Sequence, residues 1–408
     1  MSRIVITGIG MVTPAGATNE SFWRGLTCGS SSIAEISTFA VSNPHCNRAG
    51  EIRDIDGIPF AGKRNLWKIT RSILFGYAAA SAAMDNAGIG ADAETRTGIG
   101  AVFGSTLGGL SPLMELDRQA MKQGPRFADP LLFPSAGPSA PGCQVSITAG
   151  LCAFNTTLSN GQTSGLDAIR YGADFIRRKR ASVVVVGAVE ELSPHIFRAC
   201  ERAGLLAGSR GTCGTPDPTC RPFDATRSGF VLGEGSAAVI LEDAEHAAAR
   251  NAEILAEVSG YGFHFESEPQ KRPQAAEYSM RRALADSGKR PQDVSVVFAN
   301  ANGSMAGDYY EAKALHSLFG TEAPPVTAIK SILGESYSAA GAIQTVAAIL
   351  AMRWGQIPGT PGFQAQGRNL PVLPIQRETR AARLDTAMIN TFGRSGGHAS
   401  LILRSYVQ

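Results

Sequence analysis

Short β-branched runs alternate with helix-patterned segments along almost the whole chain of 408 residues. IVITGIG (4–10) and ASVVVVGAVEE (181–191) are typical of buried strands, and the segment near 163–178 is typical of a helix. Strands that alternate with helices form parallel or mixed sheets covered by helices. Because the alternation occurs again after residue 250, we expect an α/β fold of two similar halves, residues 1–250 and 251–408, with mixed sheets.

The same criteria predict the remaining elements. Further strands are expected at 97–105, 228–242, 253–264, 295–304, 324–329 and 386–404. Further helices are expected near 66–88, 110–122, 194–204, 273–287, 308–319 and 338–354.

Composition excludes several classes of function. Apolar residues make up 44% and charged residues 18%, which indicates a well-buried globular protein. The net charge of +3 is too small to indicate nucleic acid or an anionic membrane as partner. No run of about 18 apolar residues predicts a membrane span, and the start shows no signal peptide. The seven scattered cysteines indicate reduced thiols in the cytoplasm and no metal site.

The stretch SNGQTSGLDAI (159–169) has small residues in a turn that leads into an apolar helix. A helix N-terminus of this kind favours a thiolate, because the helix dipole and the free amide groups stabilise negative charge. The side chain at the tip is instead Gln162, a neutral amide that cannot act as a nucleophile.

Several stretches together resemble the β-ketoacyl synthase branch of the thiolase-like superfamily, nearly from end to end. The motifs that carry the resemblance are VITGIGMVTPAG near the start, GSTLGGL (104–110), DPLLFPSAGPSAPGCQVSITAGL (129–151), SNGQTSGLDAI, RPFDATRSGFVLGEGSAAVILE (221–242), NANGSMAGDYYEAKAL (300–315), IKSILGESYSAAGA (329–342) and NTFGRSGGHASLIL (390–403). The resemblance implies a five-layered α/β/α/β/α fold made of two duplicated halves.

Active members of that family use a cysteine nucleophile, two histidines and a supporting lysine. The resemblance places the cysteine position at Gln162, the first histidine position at Asn302 and the second at Glu335, whereas Lys330 is retained. Three replacements at three catalytic positions predict that the chain is not catalytic alone. We expect Lys330 and Glu335 to form an ion pair that fills the former catalytic pocket.

The family's glycine-rich gate, FGFGG, is also altered. Here the turn reads FGRSGG, so Phe392 and Gly393 are kept, the position of the second phenylalanine falls on Ser395, and Arg394 precedes it. His398 follows beside this gate, and we expect it to be structural.

Glutamine at the nucleophile position resembles the chain-length factor, or KSβ subunit, of type II polyketide synthases. That resemblance implies a heterodimer with a Cys-His-His ketosynthase (KSα), together the acyltransferase complex, and an acyl carrier protein as second partner. The silent subunit would shape the acyl tunnel at the interface and limit chain length. No cofactor of its own is implied, since phosphopantetheine arrives on the carrier protein.

The helix after GSTLGGL is the expected tunnel wall. Leu110, Leu113 and Asp117 share one face at i, i+3 and i+7, with Met114 beside them. Phe133 is expected to reach across the interface. Ordinary core positions remain the alternative for Leu110, Leu113 and Phe133. The aliphatic stripe favours a linear, polyene-like or reduced product, with an aromatic polyketide as the alternative.

Two other functions stay open at the sequence level. One is a decarboxylase of malonyl-carrier protein that supplies an acetyl starter through Gln162. Glutamine-bearing ketosynthases of that kind keep both histidines, and this chain keeps neither. The other is a scaffold that binds the carrier protein and has no tunnel; the arginine-rich stretches 177–180 and 377–384 are either its docking patches or solvated faces.

Overall fold

The computed structural model describes residues 3–54, 69–90, 96–209 and 219–406. Ten strands form one mixed sheet. They are β1 (Ile4–Val12), β2 (Gly100–Gly104), β3 (Asn155–Leu158), β4 (Val183–Glu190), β5 (Gly235–Asp243), β6 (Ala256–Phe265), β7 (Val296–Phe298), β8 (Val326–Thr327), β9 (Thr386–Phe392) and β10 (Gly397–Arg404). Two short ribbons, Ala34–Glu35 with Arg48–Ala49 and Gln356–Ile357 with Arg380–Ala381, lie apart from it.

The sheet repeats one strand order. The first half runs β3-β2-β4-β5-β1 and the second half runs β8-β7-β9-β10-β6, so each half places its own strands in the order 3-2-4-5-1. The first three strands of each order are parallel and the last two pairings are antiparallel. This repetition is the duplication that the alternating sequence predicts; the boundary at residue 250 itself stays a prediction.

The two halves are joined edge to edge. Residues Ile4 to Ile6 of β1 pair antiparallel with Ala256 to Val258 of β6, which makes the ten strands continuous. The expected segment 386–404 is two antiparallel strands, β9 and β10, because Gly393 and Gly396 close a tight turn inside it. The expected strand 295–304 ends at Phe298, and the following residues form a loop.

Helices cover both faces of each half and also lie between them. They are α1 (Asn19–Thr27), α2 (Arg71–Asn86), α3 (Leu110–Gln123), α4 (Ala140–Ala149), α5 (Ser164–Arg177), α6 (Pro194–Arg202), α7 (Ala244–Ala249), α8 (Arg272–Ser287), α9 (Met305–Phe319), α10 (Lys330–Leu333) and α11 (Ala340–Trp354). Helices α5 and α11 contact strands of both halves, α2 and α4 cover the outer face of the first half, and α8 and α9 lie on the outer side of the second. The order is therefore helix, sheet, helix, sheet, helix.

The three largest apolar clusters of the described residues fill this arrangement. The central cluster joins α5 and α11 to strands of both halves, and it includes Leu166, Ile169, Ile343 and Val346. The other two lie beneath the outer helices, one in each half. Burial of these side chains is the main favourable term in folding, so the central helices are held from both sides.

The turn that carries Gln162 is fixed by close packing. Gly161 has φ +69°, a left-handed conformation that glycine adopts at no steric cost. A Cβ atom on Gly165 would lie 2.6 Å from the carbonyl oxygen of Ser338, and one on Gly104 would lie 2.7 Å from the carbonyl carbon of Ser164. No larger residue fits at either glycine without movement of backbone atoms.

We predict that Gly165→Ala lowers the free energy of unfolding by about 1–3 kcal/mol, because overpacking at a backbone contact forces the central helices apart. Urea denaturation of the full chain measures this change. Gly137→Ala is the matched control, since its Cβ would meet no atom closer than 3.8 Å. Equal stability of the two variants would contradict the packing argument.

Candidate active-site pocket

A cavity of about 560 Å³ lies where the two halves meet at the start of α5. Its walls come from the Gln162 turn, the loop after β7, the turn between β9 and β10, the first turn of α8 and the segment after α6. The lining residues used below are Gln162, Arg272, Asn300, Asn302, Arg394 and His398. The cavity is therefore lined by the predicted nucleophile position, by the first predicted histidine position and by residues of the gate.

Gln162 sits in a short 3-10 turn, Gly161–Thr163, and is buried. Its side-chain oxygen accepts a hydrogen bond from the backbone N–H of Arg394 at 3.3 Å. The amide thus links the turn before α5 to the gate between β9 and β10.

A buried carboxylate holds this turn from the side opposite the cavity. Asp167, in the first turn of α5, accepts hydrogen bonds from Asn160 (2.9 Å), from Thr163 (2.8 Å) and from the hydroxyl of Tyr261 on β6. Burial raises the pKa of Asp167, and these three donors act against that rise. The network ties the start of α5 to the second half of the fold.

Asn302 is held in one orientation. Its side-chain oxygen accepts from the backbone N–H of Ser304 at 3.1 Å, so its nitrogen is the atom that donates to Glu335 at 2.6 Å. Its backbone N–H donates to Asp308 at 3.1 Å. The amide lines the cavity but presents its donor to the protein interior.

Glu335 and Lys330 lie behind Asn302 and do not line the cavity. Lys330 donates to Glu335 at 2.8 Å and to the side-chain oxygen of Asn300 at 2.8 Å. The second carboxylate oxygen accepts from the backbone N–H of Tyr337 at 2.9 Å. The Lys330–Glu335 ion pair predicted from the sequence is therefore present, with both side chains at most 3% exposed.

The backbone of Glu335 is fixed as firmly as its side chain. Its N–H donates to the carbonyl of Val231 at 2.7 Å, and its carbonyl accepts from Gly233 at 2.9 Å. A Cβ on Gly233 would lie 2.3 Å from the carbonyl oxygen of Leu333, so the two segments pack at backbone distance. The GEG and ILGES motifs of the sequence meet here.

The residues at the base of the gate are buried and held by contacts, whereas those at its tip are exposed. Gly393 donates to the carbonyl of Gly397 at 2.7 Å, and Phe392 is buried against the ring of His398. Arg394 and Ser395 are exposed. Of these two altered gate residues, Arg394 also lines the cavity.

Two buried acids of α9 were not singled out from the sequence. Asp308 accepts from the backbone N–H groups of Phe223, Asn302 and Gly303, and Arg227 lies 3.9 Å from it. Burial raises the pKa of Asp308 to about 6 and that of Glu311 to about 7. Their i, i+3 spacing in GDYYEAK was the available signal, since it places both carboxyls on one helix face.

The predicted tunnel residues all lie on α3 or just after it. Leu110 and Met114 are half-buried, whereas Leu113 and Asp117 are exposed. Phe133, in the 3-10 segment Pro130–Ser135, is 76% exposed. The structure of this single chain places them together on one surface, and their role as a tunnel wall stays a prediction.

Within residues 3–54, 69–90, 96–209 and 219–406, no group of three or more His, Cys, Asp or Glu side chains is arranged to hold a metal ion. No helix in the described part of the chain is long and apolar enough to cross a membrane.

Similarity to known proteins extends over nearly the whole chain. The model of the β-ketoacyl synthase N-terminal domain matches residues 1–247, and that of the C-terminal domain matches residues 255–364. A 3-oxoacyl-[acyl-carrier-protein] synthase 2 of Vibrio cholerae is 32% identical over 98% of this chain and 99% of that protein. A putative polyketide beta-ketoacyl synthase 1 of Streptomyces cyaneus is 30% identical over 98% and 97%.

A solved structure described as the ishigamide ketosynthase/chain length factor superposes with a TM-score of 0.88 at 27% identity and covers all of both chains. A β-ketoacyl synthase from Burkholderia phymatum superposes equally well at 25% identity. The thiolase-like fold expected from the motifs is confirmed, and this chain belongs to the β-ketoacyl synthase family.

Proposed function

We propose that this chain is a chain-length factor (KSβ), the catalytically silent partner of a Cys-His-His ketosynthase in a type II polyketide synthase. One observation carries the proposal. Glu335 is held in a buried network with Asn302 and Lys330, and the resemblance to the family puts Gln162, Asn302 and Glu335 where active members carry the nucleophile and both histidines.

The chemistry of condensation needs groups that this pocket lacks. Acyl transfer needs a nucleophile, and the amide of Gln162 has none to offer. Decarboxylation and enolate stabilisation need donors that carry or move a proton, but the nitrogen of Asn302 already donates to Glu335. Lys330 forms an ion pair with Glu335 behind the cavity wall, so its positive charge is already neutralised.

An exposed apolar surface supports the proposal that this chain binds a partner chain. The surface comprises α3, the segments 125–127 and 130–135, and α4, which contact one another. We call it the α3–α4 surface. Its exposed large apolar side chains are Leu113, Met121, Phe127, Leu131, Phe133 and Ile147. Contiguous exposed apolar side chains mark interaction sites, and the proposed occupant is the catalytic ketosynthase.

The comparison with the ishigamide ketosynthase/chain length factor supports the same assignment, because that structure pairs the two classes of chain that the proposal requires. The carrier protein is the proposed second partner, delivering phosphopantetheine to the catalytic subunit. For the product we propose a linear, polyene-like or reduced chain, because the α3 stripe of Leu110 and Leu113 is aliphatic.

Two alternative functions, a decarboxylase and a scaffold without a tunnel, predict different experimental results. Carbon dioxide release from malonyl-carrier protein by this chain, abolished by Gln162→Ala, would replace the proposal by a decarboxylase. A product whose length ignores every change on α3, although the complex is required, would replace it by a scaffold.

We predict that Lys330→Met lowers the free energy of unfolding by about 3–5 kcal/mol, because it leaves the carboxylate of Glu335 buried without its cation. The double variant Lys330→Met/Glu335→Leu should be less destabilised than Lys330→Met alone, since no unpaired charge remains. Denaturant titration of the full chain checks both.

Lys271→Met is the control for the loss of a lysine, because the Lys271–Glu268 pair at 2.9 Å is exposed and such pairs contribute little. A Lys330→Met variant as stable as Lys271→Met would show that the buried network is not structural.

We predict that Phe133→Asp weakens binding to the cognate ketosynthase about 10- to 100-fold, since a charge would replace an apolar anchor in the interface. Size-exclusion chromatography with mass measurement, on the two co-expressed chains, detects the one-to-one complex.

Val372→Asp is the matched control, because Val372 is 84% exposed and lies in the second half, outside the α3–α4 surface. A stable homodimer that ignores the ketosynthase, or equal effects of the two aspartates, would overturn the assignment of partner and surface.

We predict that Leu110→Phe and Leu113→Trp each shorten the polyketide product while the complex stays intact, because a larger side chain would close the tunnel earlier. Mass spectrometry of the product made by the reconstituted complex measures chain length. Unchanged length in both variants would remove Leu110 and Leu113 from the tunnel wall.

A further inference from the structure

Three arginines line the cavity at the start of α5. They are Arg227, Arg272 and Arg394. None of the lining residues that the structure describes is an aspartate or a glutamate. Because a cleft lined by one sign of charge concentrates ligands of the opposite sign, this lining favours an anion.

The acids behind the cavity wall do not cancel all of this charge. Asp308 lies 3.9 Å from Arg227, and Glu335 accepts from Lys330 at 2.8 Å, so these two carboxylates each have a cation beside them. Burial raises the pKa of Glu311, the third acid, to about 7, which reduces its negative charge at neutral pH. The other two arginines of the lining are therefore not neutralised from behind.

Arg272 supplies the first of these two charges. It begins α8, whose first turn contains no acid, so the positive end of the helix dipole lies at the same place. Its Nε is buried and has no hydrogen-bond partner in the described part of the chain. Burial lowers the pKa of His398 to about 4; Arg272 acts in the same direction, whereas the bond to Gly396 and the charge of Glu266 oppose it. The field of Arg272 therefore reaches a buried group of the cavity.

Arg394 supplies the second charge, from the gate. Its guanidinium forms no ion pair with an acid within the described ranges of the chain. Burial raises the pKa of Cys200 and of Tyr337, and the positive charge of Arg394 acts against that rise. Arg394 thus acts on the α6 side of the cavity, whereas Arg272 enters from the α8 side, and an anion in the cavity would lie near both.

The remaining lining includes apolar side chains that suit a hydrocarbon stem. Leu205, Phe230, Met305 and Phe392 line the cavity, and the two phenylalanines are buried. The volume of about 560 Å³ is far larger than a single carboxylate group requires. A few polar groups on an otherwise apolar wall are typical of sites for small organic ligands, so the cavity suits an anion that carries an apolar chain.

We propose that this cavity binds a free carboxylic acid with an aliphatic stem, in its ionised form, with Arg272 and Arg394 as the residues that hold the carboxylate. A guanidinium matches a carboxylate in geometry and donates charge-assisted hydrogen bonds to it. The ligand stays non-covalent, because Gln162 cannot take an acyl group. The inference rests on the proposed loss of catalysis, and it names the class of ligand that the silent pocket takes.

The test compares octanoate with octanamide, which differ only by O⁻ in place of NH₂, and adds inorganic phosphate as an anion without a stem. Calorimetric titration of the full chain, with its ketosynthase where the pair is co-purified, gives the affinities. The partner's contribution is common to all variants, and differences between variants of this chain report this cavity.

We expect octanoate to bind about tenfold more tightly than octanamide at low ionic strength, because hydrogen bonds to a charged group are the stronger ones. The double variant Arg272→Gln/Arg394→Gln should reduce that ratio to about twofold or less, and each single variant should lower it in part. Arg394→Lys keeps the charge and should keep most of the preference. Added salt should weaken the preference, because Arg394 is exposed.

Arg281→Gln is the matched control for the loss of an arginine. Arg281 lies on the same helix as Arg272, is exposed, and pairs with Glu277 at 2.7 Å, and it does not line the cavity. This variant should leave the ratio of the two affinities unchanged.

Equal affinities, tighter binding of octanamide, no saturable binding of octanoate, or a ratio unchanged in the double arginine variant would each overturn the inference. Phosphate that binds as tightly as octanoate would also overturn it, because the stem would then contribute nothing. Complex formation with the ketosynthase is measured separately. A chain that pairs but shows no preference for octanoate loses only this inference, and a chain that shows the preference but does not pair loses only the chain-length-factor proposal.

Discussion

The contact between the two central helices determines the rest of this structure. A Cβ on Gly341 would lie 2.9 Å from Leu166, and one on Gly165 would lie 2.6 Å from the carbonyl of Ser338. The helices α5 and α11 therefore approach at backbone distance, and each contacts strands of both halves. Because interiors are close-packed, this contact sets the position of the turn that begins α5, and with it the place of Gln162 in the cavity.

That geometry does not depend on a cysteine or a histidine at the predicted catalytic positions. The turn, the cavity and the gate form with Gln162, Asn302 and Glu335 in those places. Two of these positions belong to one network: Asn302 donates to Glu335, Glu335 accepts from Lys330, and Lys330 donates to Asn300. A buried carboxylate is tolerated only with such partners, so Asn302, Glu335 and Lys330 form one structural unit, whereas Gln162 is bonded to Arg394.

Much of this was predictable from the sequence, for physical reasons. The long amphipathic helices α3 and α5 were placed within two residues, because a 3.6-residue period is a strong signal. The helix Ala140–Ala149 and the strand Asn155–Leu158 were not predicted, since the first has Pro141 in its first turn and is apolar on most sides, and the second is only four residues long. The 386–404 hairpin was predicted as one strand; the glycines of its turn, Gly393, Gly396 and Gly397, were the signal that separates the two apolar runs.

The functional site, too, was predictable from the sequence only in part. Gln162, Asn302 and Glu335 were found by their places in motifs, and the Lys330–Glu335 pair followed from opposite charges. The hydrogen bond of His398 was not found, because a sequence does not show which ring nitrogen is engaged; in the structure its Nδ1 lies 2.8 Å from the carbonyl oxygen of Gly396. Lys330 is paired with Glu335 behind the wall, so the cations that line the cavity are Arg227, Arg272 and Arg394. The structure thus keeps an enclosed space at the start of α5 in which the side chain at the tip of the turn, Gln162, is not a nucleophile.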